Sequence, residues 1–131
     1  MRQAVSESYL SAELRRSVRS RANGRCEYCQ IAEQDTWFGC EIDHIISEKH
    51  AGQTESDNLA FACATCNRAK GSDIAAMTED GTLTALFHPR RQLWAEHFAR
   101  EGAWIIGRTP VGRATVRLLK FNAPDRLAER E

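Results

Sequence analysis

Four cysteines in two Cys-x-x-Cys pairs, Cys26/Cys29 and Cys63/Cys66, enclose a segment that carries Asp43-His44 and Asn58, and Asn67 directly follows the last of them. Two residues between paired cysteines let both sulfurs reach one tetrahedral ion, so two such pairs form a closed set suited to a structural zinc. The enclosed side chains have a different chemistry. A carboxylate takes a hard cation such as Mg²⁺ or Mn²⁺ through oxygen. A neutral imidazole, with an unperturbed pKa of about 6.5, can take a proton from water near pH 7. Carboxylate, imidazole and amide together are the parts needed to grip a second metal and activate a water. Alone, Asp-His says little; it becomes specific because Asn58-Leu59 and Cys63-x-x-Cys66-Asn67 follow in order.

The stretch from Arg25 to Asp73, with Cys26-Glu27-Tyr28-Cys29, Ile42-Asp43-His44-Ile45-Ile46, Asn58-Leu59 and then Cys63 to Cys66 with Asn67, Arg68, Lys70 and Gly71, resembles the HNH endonuclease family. The resemblance implies an α+β chain built on a ββα-metal core with two zinc knuckles. It implies His44 as general base, Asp43 and Asn67 as protein ligands of a catalytic metal, and Asn58 as the residue that fixes the loop carrying His44. Metal-dependent hydrolysis of DNA, leaving 5′-phosphate and 3′-hydroxyl ends, is the implied activity. Asn67 departs from a strict His-Asn-His pattern. Because an amide oxygen is a poor ligand for zinc or nickel, the departure points to Mg²⁺ or Mn²⁺. The tail, with His88-Pro89-Arg90, His97-Phe98 and Gly107 to Thr115, is similar to the C-terminal extension of small stand-alone bacterial members.

The elements that must position these groups follow from periodicity. Leu10, Leu14 and Val18 recur at i, i+4 and i+8, which predicts an amphipathic helix over Ser6 to Ala22 ended by Asn23-Gly24. Trp37 to Ile46 is rich in strand formers and predicts at least one strand of a hairpin. Ser47 to Asp57 reads as a loop, and Asn58 to Lys70 as helical, with the second knuckle interrupting or opening it and Gly71-Ser72 ending it. Further on, Leu83 to Phe87 favours a strand, Gln92 to Arg100 a helix and Ala103 to Ile106 a short strand. Pro110 is well placed to open a helix running to about Leu119. The chain thus divides into an N-terminal helix (1–24), a core (25–73) and a small α/β extension (74–131) within one domain.

At 131 residues, with 42% hydrophobic and 27% charged residues, the chain is long enough to bury one core. No run approaches a membrane span of about 18 apolar residues, and the first residues do not open a secretory signal, so a cytoplasmic location is the default expectation. Cysteines in that setting point to metal in place of disulfides. The fifth, Cys40, reads as a small hydrophobe on a strand. Net charge is zero, yet residues 27–57 hold eight acids against Lys49 alone, and residues 90–120 hold seven bases against Glu96 and Glu101. That asymmetry suits an enzyme that places a cation on a phosphodiester, with DNA as partner and no small-molecule cofactor. Arg68, Lys70, Arg113 and Arg117 are the candidate phosphate contacts, Arg113 and Arg117 sharing one helix face. His88 and His97 read as structural, and His50 sits in the loop after the strand that carries His44. The competing class is a zinc-stapled module that binds nucleic acid or protein without cutting. Oligomeric state is not legible in the sequence.

Overall fold

The computed structural model describes residues 10–131. The first helix, α1 (Ala12–Arg21), is capped by Ser11, whose hydroxyl accepts from the Leu14 amide at 3.0 Å. The expected helix start over residues 6–9 lies outside the described residues, and Leu10 precedes the cap. Even so, Leu10, Leu14 and Val18 share one apolar cluster with Leu59 and Phe61.

Strand β1 (Cys40–His44) pairs antiparallel with β2 (Leu59–Cys63), with Asp43 opposite Ala60 and His44 opposite Leu59. Helix α2 (Ala64–Lys70) follows β2 without a connecting residue and stops at Gly71, where φ is +53°. Of the helix expected over Asn58 to Lys70, the part that the second knuckle opens is present, capped by Cys63, whereas Leu59–Cys63 is strand. Leu59-Ala60-Phe61-Ala62-Cys63 is buried on both faces, and such a short apolar run has no period that separates strand from helix. The loop between β1 and β2 contains 3-10 turns at Glu48–His50 and Ser56–Asn58.

The extension adds two more antiparallel pairs, β3 (Ala75–Met77) with β4 (Leu83–Ala85), and β5 (Phe98–Glu101) with β6 (Trp104–Gly107). Helix α3 is only Trp94–His97, because the chain turns to strand at Phe98 where a longer helix was expected. Helix α4 (Pro110–Leu118) begins as expected at Pro110, with the Thr109 hydroxyl accepting from the Gly112 amide at 3.0 Å. Its approach to α3 requires a glycine: a Cβ on Gly112 would lie 2.0 Å from the His97 carbonyl oxygen. A last helix, α5 (Pro124–Arg130), has no counterpart in the sequence reading.

The extension and the knuckles share one core. Phe87, Phe98, Leu119 and Phe121 belong to the same buried cluster as Cys26, Cys29, Cys63 and Cys66. Phe98 meets Phe87, Trp94 and Phe121 with ring centroids 5.0 to 5.7 Å apart. The Trp94 indole N–H donates to the Tyr28 carbonyl at 2.8 Å, which ties α3 to the first knuckle. No helix among the described residues is long and apolar enough to cross a membrane.

Candidate active site and metal centre

The two knuckles converge. Their four sulfurs are buried and all lie within 4.8 Å of one another. Cys29 Sγ and Cys63 Sγ are 3.8 Å apart, and a tetrahedron with metal–sulfur bonds of about 2.3 Å has edges of about 3.8 Å. In each pair the second cysteine turns its amide toward the first sulfur, Cys29 to Cys26 and Cys66 to Cys63, both at 3.4 Å. Cys63 is also the N-cap of α2. Burial pushes the Cys26 and Cys66 thiols well above their ordinary pKa, so thiolates here need a cation beside them. The four cysteines could hold a structural zinc, and their chemistry and spacing fit one.

A cation of the chain itself faces the sulfurs. Arg126, on α5 and 2% exposed, donates Nη2–H to Cys66 Sγ at 3.0 Å and reaches Cys63 Sγ at 3.8 Å, while Nη1 donates to the Leu119 carbonyl at 2.9 Å. Burial opposes its charge, and the attraction of Cys66, Cys29 and Cys63 outweighs burial, so its pKa is raised. Sequence reasoning missed Arg126 because sixty residues separate it from Cys66 and no spacing rule links them.

The oxygen-rich site lies on the other side of the hairpin's first strand. Successive strand residues point to opposite faces, so Asp43 joins Glu41 on the side of α2 while His44 follows Cys40 and Ile42 to the side of α1. Asp43 is 4% exposed. Its Oδ2 accepts from the Tyr28 hydroxyl at 2.7 Å, and Lys70 Nζ lies 3.3 Å from Oδ1 and 3.2 Å from Oδ2. Burial raises the Asp43 carboxyl pKa, and the Lys70 charge and the Tyr28 hydrogen bond act against that rise. Burial and the nearby Asp43 charge hold the Tyr28 phenol well above its usual value, so it stays a donor. Asn67 Nδ2 donates to Glu41 Oε1 at 2.6 Å. Glu41 and Asp43 carry their oxygens on one face of β1, and Asn67 meets that face through Glu41; carboxylate and amide oxygens suit a hard divalent ion over a soft one.

His44 is half-buried, with Nε2 2.9 Å from the Thr54 hydroxyl. Its loop is tied by Asn58, whose Oδ1 accepts from the Ile46 amide at 2.9 Å and whose Nδ2 donates to Ile46 O at 2.8 Å and Gln53 O at 2.9 Å. The same knot excludes any side chain at Gly52, where a Cβ would lie 1.6 Å from Ile46 O. His50 is exposed on that loop.

The residues expected at phosphates lie in different surroundings. Lys70, expected at a phosphate, is 2% exposed and turned inward to Asp43 and to the His44 carbonyl at 3.1 Å. A buried ammonium needs those oxygens, and α2 is short enough to aim its last residue at β1. Arg113 pairs with Glu79 at 3.1 Å, and Arg117 is exposed on α4. No hydrogen bond or ion pair among the described residues joins either to Asp43, His44 or Asn67. Arg68 is exposed beside Asn67. His88 and His97 are half-buried, His97 Nδ1 lying 2.6 Å from the Thr109 hydroxyl and His88 Nδ1 accepting from the Arg90 amide at 3.3 Å. Cys40 sits on β1 as expected, and burial pushes its thiol up to about 12.

No curated protein and no solved structure matched the chain. Residues 26–73 match the family described as HNH endonuclease, a span that holds both cysteine pairs, the Asp43-His44 dipeptide, the Asn58 knot, Asn67 and Lys70. Through that segment the chain is similar to the HNH endonuclease family.

Proposed function

We propose that the chain is an endonuclease that hydrolyses DNA phosphodiesters with the help of a divalent metal, on a ββα-metal core stapled by one zinc. One observation carries this reading. β1 sends the imidazole of His44 to one side and the oxygens of Glu41, Asp43 and, through α2, Asn67 to the other. In-line displacement at phosphorus needs the attacking and the leaving oxygen on opposite sides, so a phosphate at the end of β1 would meet a base on one side and a cation site on the other. Asp43 and Asn67 would hold Mg²⁺ or Mn²⁺, which supplies charge stabilisation for the transition state and the departing 3′ oxygen.

The chain's own residues do the rest. Nε2–H of His44 donates to Thr54 Oγ1 in the tautomer that leaves Nδ1 basic, and Nδ1 takes the proton from the attacking water. Asn58 holds the loop so that the ring stays at the strand's end. Tyr28 and Lys70 fix the Asp43 carboxylate, and Arg68 offers a cation beside Asn67. The competing reading, a module that binds without cutting, is favoured by the Lys70 ammonium lying against Asp43 where a divalent ion would be needed. A plasmid-nicking assay with Mg²⁺, Mn²⁺ and no-metal arms, run beside His44→Ala, separates the two. Metal-dependent nicking lost in the variant is expected; wild-type protein that binds plasmid and never nicks it would favour the binding module.

A further inference from the structure

The arginines of α1 lie outside every role given so far. Arg15, Arg16 and Arg19 form one wall of a groove of about 210 Å³ whose other side is Cys40, Ile42 and Phe61, with Glu41 at its edge. Arg16 and Arg19 also border a second hollow of about 520 Å³, with Ser20, Asn23 and Gly24. Arg19 is held in place by Glu33 at 2.8 Å and still leaves 63% of its side chain exposed. The groove therefore runs along the side of β1 from which His44 projects, two residues and about 7 Å beyond Ile42.

The end of α1 is pinned near that histidine. Arg21 donates to the Ser56 carbonyl at 3.1 Å, the Ser56 hydroxyl at 2.8 Å and the carbonyl of Leu59 at 2.8 Å, and Leu59 is the residue opposite His44. At the far end of β1, just before Cys40, Trp37 and Phe38 are 58% and 68% exposed. The Trp37 amide donates to Glu129 Oε2 at 2.8 Å, which fixes the turn that presents both rings.

We infer that the groove between α1 and β1 is a track for a nucleic-acid strand with unpaired bases, its phosphates on Arg15, Arg16 and Arg19 and its bases stacked on Trp37 and Phe38. Positive charge along a groove, with aromatic faces at one end, is the combination that holds single strands: arginines neutralise phosphates, and aromatic rings stack any base. The inference rests on the nuclease reading for what happens at His44. It places the incoming strand on the histidine side, where the attacking water would be made, and makes a flap, bubble or single strand a better substrate than closed duplex.

The test is fluorescence anisotropy with single-stranded, forked and duplex oligonucleotides over a range of KCl, without added Mg²⁺ or Mn²⁺. Arg15→Gln/Arg16→Gln is expected to weaken binding to all three about tenfold or more and to lower the salt slope by about 1.4 to 1.8, at about 0.7 to 0.9 for each phosphate left without its arginine. Trp37→Ala/Phe38→Ala is expected to weaken single-stranded and forked DNA about tenfold and leave duplex unchanged. Wild-type affinity and slope in the arginine variant, or the fall in slope appearing instead in Arg113→Gln/Arg117→Gln, overturns the track. Equal weakening on duplex and single strand in the aromatic variant overturns the assignment to unpaired bases. Because binding is read without cleavage, groove-dependent binding by a protein that never nicks retires the nuclease reading alone, and nicking untouched by the groove variants retires the track alone.

Discussion

The sulfur cluster and the oxygen site sit on neighbouring parts of the same hairpin and are built by opposite logic. The cluster is closed: four soft ligands, all buried, with knuckle amides and Arg126 turned toward the sulfurs. At the oxygen site the groups differ in burial, Asp43 is held by Lys70 and Tyr28, and His44 faces the other way. Under the proposed reading, the difference separates a scaffold half from a reacting half. A structural metal leaves no open position, whereas a reacting site must keep one.

The sharpest way to break that comparison is to remove the closed half. Tight chelation, or Cys63→Ser, should unfold the domain, since metal binding in small zinc domains contributes roughly 10 kcal/mol or more to folding. Circular dichroism with zinc analysis checks it, and folded protein with no zinc would contradict it. Next comes the open half: His44→Ala should slow nicking about 10²- to 10⁴-fold with zinc content and melting temperature unchanged. Rates equal to wild type would take His44 out of the reaction.

Lys70→Met probes the boundary between the two. It leaves the buried Asp43 carboxylate without its cation, a loss of about 3 to 5 kcal/mol. Added Mn²⁺ should then raise the variant's melting temperature more than the wild type's, as measured by differential scanning fluorimetry. An equal response in both would mean that Asp43 takes no metal. The smallest effect is expected for Arg126→Met, which keeps the fold and the four thiols. Zinc affinity by chelator competition should fall about 10- to 100-fold, the usual range for partners that support metal ligands from outside the coordination sphere.

The closed half was legible and the open half only partly so. Cys-x-x-Cys is a local pattern, and the knuckle turn that makes it useful is local too. Asp43 and His44 could be named, but not that they leave opposite faces, because the end of β1 and its register with β2 depend on the tertiary pairing. Strand β2 was hidden by its own burial: Leu59 to Cys63 has no polar face to show a period. Lys70 read as a surface cation because nothing in Asn67-Arg68-Ala69-Lys70 marks which side of α2 meets the sheet. The roles of Tyr28 and Arg126 arise from partners 15 and 60 residues distant in sequence, which no residue-spacing argument reaches.

Tyr28 sits inside the first knuckle, and its hydroxyl is one of the two groups that hold Asp43. Cys63, the last residue of β2, is at once a sulfur of the cluster and the cap of the helix that carries Asn67 and Lys70. The two sites are therefore coupled. A chain with open knuckles would have no fixed seat for Asp43 and no cap on the helix behind it. Under the nuclease reading proposed above, zinc supply would then act as an interlock, arming the oxygen site only once the knuckles have closed.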